Sequence, residues 1–415
     1  MRILIVTQYF WPENFRVNDL AAALAGHGHR VTVLTGLPNY PGGRFFEGYG
    51  YAGPYREQDG GVRIVRVPLV PRGGGGSVRL ILNYLSFALM ASLIGPLRLG
   101  RDFDLIFVHE PSPVTVGLPA IVMKRLTRAP IAFWVLDLWP ESVAATGALR
   151  SPYLLGWITA LVRFIYRRCD RILVASRGFI PKVLAAGGEE QKIRYFPNWA
   201  ESLYEPQPRT APLPAPLPEG FRIMFAGNIG AAQDFPAILD AAERLKAESR
   251  VHWVILGEGR MLDWVRSEIA RRGLAATVHL LGQHPASSMP AFFAHADAML
   301  VSLSDDPVFV LTVPAKVQAY LACGRPILAM LDGEGARVVQ EARAGIVCPP
   351  GNGAALAQAV LALVRMSAAE RDQFGANGLA CSRSEFDRAT LLAQLEQWLT
   401  EAAHAQPVQI TGKKT

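Results

Sequence analysis

Apolar residues in this chain recur in short unbroken runs, each followed by a loop and then a stretch with helical spacing. Residues 2–7 (RILIVT) form the first run, and 17–25 then carry the spacing of a helix. Gly26-His27-Gly28-His29 turns the chain into a second run at 31–35. Further runs stand at 62–67, 104–108, 131–136 and 172–175, and in the second half at 221–225, 253–256, 278–281, 298–301 and 326–330. Unbroken apolar runs, alternating with helical segments, predict parallel strands buried on both faces. The pattern is α/β, and it occurs twice. Between the two sets lies 205–220 (EPQPRTAPLPAPLPEG), a Pro-rich stretch that predicts an extended linker and a domain boundary. A helix is expected at 388–403, and 406–415 reads as a disordered tail.

Two apolar stretches interrupt this rhythm. Residues 80–97 (LILNYLSFALMASLIGPL) carry no charge and lie between Arg79 and Arg98. Their length reaches the lower limit for a membrane span. The runs at 62–67 and 104–108 belong to one sheet, so a single crossing between them would divide that sheet across the bilayer. The expectation is a helix packed on the sheet, either wholly buried or with its outer face in the membrane interface. Residues 154–165 form a second apolar helix, with Arg163, Arg167, Arg168 and Arg171 in or beside it. Apolar side chains beside arginines suit an anionic membrane surface. The long loop 36–61 and the glycine run 73–76, with Arg72 before it, complete the irregular parts of the first half.

Composition narrows the class. A chain of 415 residues, half of them apolar, is long enough for two cores. The net charge of +7 and a pI near 9.3 favour an anionic partner. No basic-aromatic binding pattern stands in the second half, so nucleic acid is not the expected partner. The four cysteines have neither paired nor metal-ligand spacing, which fits a reduced, cytosolic compartment. No signal peptide is read at the N-terminus.

Candidate chemistry gathers where the strands end, because open α/β sheets bind ligands at their carboxyl edge. Residues 302–336 give a strand end, a loop, a short helix from about Pro314, a strand and a second glycine loop. A helix N-terminus favours an anion, and Lys316 in its first turn makes sense opposite one. Gly227-Asn228-Ile229-Gly230 and Gly257-Glu258-Gly259-Arg260 let backbone approach a nucleotide closely. In the first half, two strand ends place His109, Asp137 and Glu141 on one rim. A carboxylate there serves as base or electrostatic partner, or else as a helix cap. Asn14, Arg16 and Asn18 lie in or just past the loop after the first strand, facing either a cleft or solvent. No Asp-x-Asp pair or His/Cys cluster sits on these loops. The adjacent Asp305 and Asp306 point to opposite sides in an extended chain, so no metal is expected.

The segments LAAALAGHGHRVTV (20–33), FAGNIG (225–230), LGEG (256–259) and ACGRP (322–326) resemble the GT-B glycosyltransferases of family 4. VPAKVQAYLACGRPILAMLDGEGA and WVLDLWPES are similar to the subgroup that adds N-acetylated amino sugars, L-fucosamine among them, in bacterial O-antigen and capsule assembly. The resemblance implies two Rossmann-like domains facing across a cleft: an acceptor and membrane-facing domain at 1–204 and a donor domain at 221–385. A C-terminal helix at 386–404 would return toward the first domain, with 405–415 beyond it. It implies a retaining, UDP-sugar-dependent and metal-independent enzyme without a cofactor. The acceptor would be a sugar on a polyprenyl diphosphate, met at the inner face of the cell membrane.

The implied donor residues are Gly227, Asn228, Ile229, Gly257, Arg260, Gln283, Pro314, Lys316, Val317, Gln318, Glu334 and Gly335. Asn14, Arg16, Asn18 and Tyr40 are the implied acceptor residues, and Asp137, Glu141, His109 and Lys316 the catalytic ones. Leu311 and Ala319 stand where many members carry two glutamates, which moves the ribose-binding role to Gln318. Asp137 stands where the family has a histidine. Two alternatives share the fold: a UDP-N-acetyl sugar 2-epimerase, and a non-catalytic membrane-bound scaffold.

Overall fold

The structure, a computed structural model, describes residues 1–74, 76–145 and 151–404. The tail expected after 405 and residue 75 of the glycine run lie outside the described residues. The chain forms two compact units. The first contains Met1–Ala175, Phe179–Phe196 and 391–404; the second contains Ser176–Gly178 and 197–390.

In the first unit the strands are β1 (Arg2–Val6), β2 (Arg30–Gly36), β3 (Arg56–Asp59), β4 (Val62–Val67), β5 (Leu105–Glu110), β6 (Ile131–Val135), β7 (Arg171–Val174) and β8 (Ile193–Tyr195). They form one sheet in the order β3-β4-β2-β1-β5-β6-β7-β8. All neighbours are parallel except β3, which runs antiparallel to β4. Ile3 pairs with Val31 on one side and Leu105 on the other, so β1 lies at the reversal of strand order. Ile3, Leu4, Ile5 and Val6 have no exposed surface, as a strand covered on both faces requires.

In the second unit β9 (Phe221–Ala226), β10 (Val251–Leu256), β11 (Val278–Gly282), β12 (Ala298–Ser302), β13 (Ile327–Met330) and β14 (Gly345–Cys348) form an all-parallel sheet. Its order, β11-β10-β9-β12-β13-β14, reverses between β9 and β12. The helix Ala315–Ala322 follows β12 and begins at this reversal.

Three sequence expectations change. The stretch 205–220 is a strap on the second unit rather than a free linker. Leu213, Ala215 and Leu217 pack against that unit's core, and Arg209 pairs with Asp297 at 3.0 Å. Tyr204, assigned by sequence to the first domain, stacks on Phe293 in the second unit. The apolar stretch 80–97 is two helices, Ser77–Leu93 and Gly95–Leu99, because Gly95-Pro96 breaks it. The helix Ser77–Leu93 buries Asn83, Phe87, Ala88 and Ala91, and exposes Val78, Ile81, Leu82, Leu85, Leu89 and Leu93 on its other face. Among the described residues no single helix is long and apolar enough to cross a membrane.

From Leu391 the C-terminal helix (Arg388–His404) packs within the first unit. Glu396 accepts from His27 at 2.9 Å and His29 at 3.0 Å, and Trp398 meets Phe196 edge-on.

Candidate active site

Backbone builds the carboxyl rim of the second sheet. The turn after β9 donates from Gly227 N to Leu256 O at 2.8 Å, and the turn after β10 donates from Gly257 N to Gly282 O at 2.8 Å. Ile229 N donates to Glu258 O at 2.8 Å, so the two glycine turns interlock. Gly257 has φ +139°, and a Cβ there would lie 1.9 Å from Gly227 O. Only glycine fits so close an approach.

Lys316 lies against Gly227. A Cβ on that glycine would come within 2.6 Å of the lysine Cε. Lys316 stands in the first turn of Ala315–Ala322, directly after Pro314, and its Nζ lies 3.6 Å from the Phe225 ring centroid. No carboxylate acts on it among the described residues, and burial pushes its ammonium down to about 7. A partly buried cation on an aromatic face, beside a helix N-terminus, has surroundings that suit an anion. Two residues further on, Gln318 is buried, and its Oε1 has no hydrogen-bond partner among the described residues. Gly335 packs against Pro314, a Cβ there falling 3.0 Å from Pro314 Cδ.

The structure corrects parts of the expected donor set. The side chains of Ile229 and Val317 are buried core. The Ile229 N–H goes to Glu258 and the Val317 N–H to Pro314 O, so neither amide is spare. Glu334 folds back on Arg337 through two contacts of 3.1 Å. Asn228, Arg260 and Gln283 are exposed, and Asn228 Nδ2 donates to Gln233.

Side chains build the first unit's rim. Asp137, just past β6, accepts from Trp139 Nε1 at 3.0 Å, and burial raises its pKa against that bond. Beneath it, Glu110 is fully buried and held well above the carboxylate range by burial, then by the nearby Asp137 charge. His109 is not on the rim. It is buried against Trp134, shares a contact with Thr7 Oγ1 at 3.1 Å, and burial pushes it down to about 3. As the fifth residue of a strand covered on both faces, it points into the core. Glu141 pairs with Lys182 at 3.3 Å.

The expected acceptor residues divide. Asn14 is exposed and Arg16 opens the helix Arg16–Gly26. Asn18 instead ties down the loop before it, donating to Glu13 O at 2.7 Å and accepting from Trp11 N. Tyr40 is partly exposed and tilts on Tyr9 and Phe15.

Sequence reasoning missed Glu13 and Arg66. Glu13 is buried and accepts from Asn39 N and Tyr40 N at 2.7 Å each and from Phe10 N at 3.2 Å, joining two loops; burial pushes it up to about 7. Arg66 is buried, pairs with Glu57, and donates to Trp11 O at 2.6 Å. Their signal was a lone glutamate in an aromatic loop and an arginine inside an apolar strand.

Residues 14–199 match the glycosyl transferase 4-like domain, and residues 220–366 match the glycosyl transferases group 1 domain. The chain is 29% identical over 255 residues to "Probable glycosyltransferase WbjE" of Pseudomonas aeruginosa, a match covering 58% of this chain and 63% of that protein. It is 24% identical to the "Putative colanic acid biosynthesis glycosyl transferase WcaI" of Escherichia coli K12, over 78% of this chain and 82% of that one. Among solved structures, Anabaena HepE in complex with UDP and glucose superposes with a TM-score of 0.66 at 16% identity, covering 96% of this chain and 99% of that one. Sucrose-phosphate synthase of Thermosynechococcus elongatus gives 0.72 at 16% identity, over 96% and 98%. The interlocked glycine turns, the two parallel sheets and the two matched domains agree: the chain belongs to the glycosyltransferases, nucleotide-sugar-dependent enzymes of the GT-B fold.

Proposed function

We propose that this protein is a retaining glycosyltransferase that moves an N-acetylated amino sugar from a UDP-activated donor to a lipid-linked sugar acceptor in bacterial surface polysaccharide assembly. One observation carries the donor side: Lys316, partly buried against Gly227 and Phe225, has no carboxylate acting on it among the described residues. A leaving diphosphate would supply the opposite charge. Lys316 and the N–H groups at the start of Ala315–Ala322 stabilise it as the glycosidic bond breaks. With donor phosphate helping to deprotonate the acceptor hydroxyl, attack on the same face retains configuration. Asp137 orients the acceptor or steadies positive charge at the anomeric carbon. No divalent metal is needed in this scheme, because the lysine and the helix terminus carry its electrostatic role.

The similarity to WcaI, described as a putative colanic acid biosynthesis glycosyl transferase, and to the UDP-bound HepE structures supports this reading. For the acceptor side, the exposed apolar faces of Ser77–Leu93 and Pro152–Tyr166 suit the inner leaflet of the cell membrane, which the protein would bind without crossing.

The test is turnover with a panel of UDP-sugars and a lipid-diphosphate sugar acceptor, with and without EDTA. Transfer of a UDP-N-acetyl amino sugar, unaffected by EDTA, is expected. Conversion of the donor sugar without any acceptor would replace the transferase reading with an epimerase. Loss of turnover in EDTA, restored by magnesium or manganese, would overturn the metal-independent scheme.

A further inference from the structure

We infer that the first unit carries a phosphate-recognition site around Arg72, which takes the phosphate end of an amphiphile whose chain lies on the exposed apolar face of Ser77–Leu93. The inference rests on the reading that the acceptor is lipid-linked, and it names the residue that reads the lipid phosphate.

Arg72 sits among three tyrosines. Its guanidinium carbon lies 5.0 Å from the Tyr40 ring centroid, 5.8 Å from Tyr9 and 6.0 Å from Tyr84. Its Nη1 donates to the Tyr9 hydroxyl at 3.1 Å, and its backbone N–H to Asn39 Oδ1 at 3.1 Å. No carboxylate pairs with it among the described residues. Glu13, which shares Asn39 with Arg72, is committed to three backbone N–H groups, and Glu57 to Arg66. The aromatic faces stabilise the cation without neutralising it, so the rest of its planar fork is available to a phosphate.

Two neighbours give the ligand its shape. On one side the chain enters Ser77–Leu93, where Arg79 is exposed and Ile81, Leu82, Leu85, Leu89 and Leu93 continue along one face. That helix has no acidic residue. A phosphate next to an apolar ridge matches a phosphorylated lipid better than a free anion. On the other side Tyr84 meets Trp139 edge-on at 6.3 Å, and Trp139 donates to Asp137. A sugar attached beyond the phosphate would therefore extend toward Asp137.

Farnesyl diphosphate, farnesol and inorganic diphosphate, titrated into the full chain by calorimetry, test this. UDP is kept at saturation so that the second unit's rim is occupied. Farnesyl diphosphate should bind about tenfold or more tightly than either fragment. Arg72→Gln should remove about tenfold or more of that affinity and leave UDP affinity unchanged. Arg72→Lys should lose less, since it keeps the charge but not the fork. If Arg72→Gln lowers the melting temperature, Arg72→Lys and Tyr84→Leu decide instead, both expected between wild type and Gln.

Equal binding of inorganic diphosphate would make this a site for free phosphate and overturn the lipid assignment. Farnesyl diphosphate affinity unchanged by these substitutions would overturn the site itself. The failure of this inference differs from that of the function above. Transfer to a lipid-diphosphate sugar with KM insensitive to Arg72 sinks only the inference. Arg72-dependent binding without transfer supports the site and sinks the function.

Discussion

The two sheets end in different kinds of rim. In the second unit backbone makes the surface: glycine turns close on one another at hydrogen-bond distance, and Lys316 brings positive charge against them. In the first unit side chains make it, with Glu13, Arg66, Arg72, Asp137 and a group of tyrosines held by one another. A backbone rim presents geometry that few substitutions can alter, which suits a nucleotide. A side-chain rim can be rebuilt residue by residue, which suits acceptors that differ between enzymes.

Substitutions in the two rims should therefore fail differently. Asp137→Asn keeps the bond to Trp139, because the amide oxygen can still accept, but removes the charge. It should lower kcat about a hundredfold or more, with UDP affinity unchanged in a calorimetric titration. An equal loss of UDP affinity would blur the division between the rims. Gly257→Ala places a methyl 1.9 Å from Gly227 O at a φ of +139°. It should cost about 2–4 kcal/mol in chemical denaturation and weaken UDP binding. A variant as stable as wild type would show that the turns are not locked.

Glu13→Gln should cost about 1–3 kcal/mol, because its amide N–H would face Phe10 N. It should also change the pH profile. Burial raises Glu13 from the ordinary carboxylate range to about 7. The folded state then holds a proton that the unfolded state has released. Wild-type stability should fall as pH rises from about 4.5 to about 7, then level off. Melting curves of the Gln variant should show less of that fall. Trp157→Ser, at a side chain 76% exposed, should change stability by less than about 0.5 kcal/mol, yet reduce sedimentation with anionic liposomes at low salt. Unchanged sedimentation would remove this face from membrane binding.

Much of the fold was legible in the sequence, and less of the site. Strands buried on both faces write themselves as unbroken apolar runs, so β1, β2, β4, β5, β6, β7 and most of the second sheet could be read directly. β3 (REQD) could not, because it is an exposed edge and carries no apolar signal. β8 and β14 were missed as well: each is a short edge strand and mostly half-buried, so it lacks the signal of a strand covered on both faces. The position of Lys316 was readable because a glycine-flanked helix start is a local feature. His109 was misplaced because one residue along a strand end decides between rim and core. Arg72 stood out only as the residue before a glycine run. Its role depends on Tyr9, Tyr40 and Tyr84, which the fold brings together from three separate segments.

The central claim is that Lys316 is the cation of the donor site, and its protonation offers the most direct test. Burial leaves the free lysine largely neutral at pH 8, while a bound diphosphate would hold it charged. Calorimetry of UDP binding at pH 8, in buffers of different ionisation enthalpy, should show uptake approaching one proton per nucleotide. Affinity should decline as pH rises above about 7. Lys316→Met should abolish the proton uptake and weaken binding by about tenfold to a hundredfold. UDP binding to wild type without proton uptake, and with equal affinity in Lys316→Met, would contradict the account.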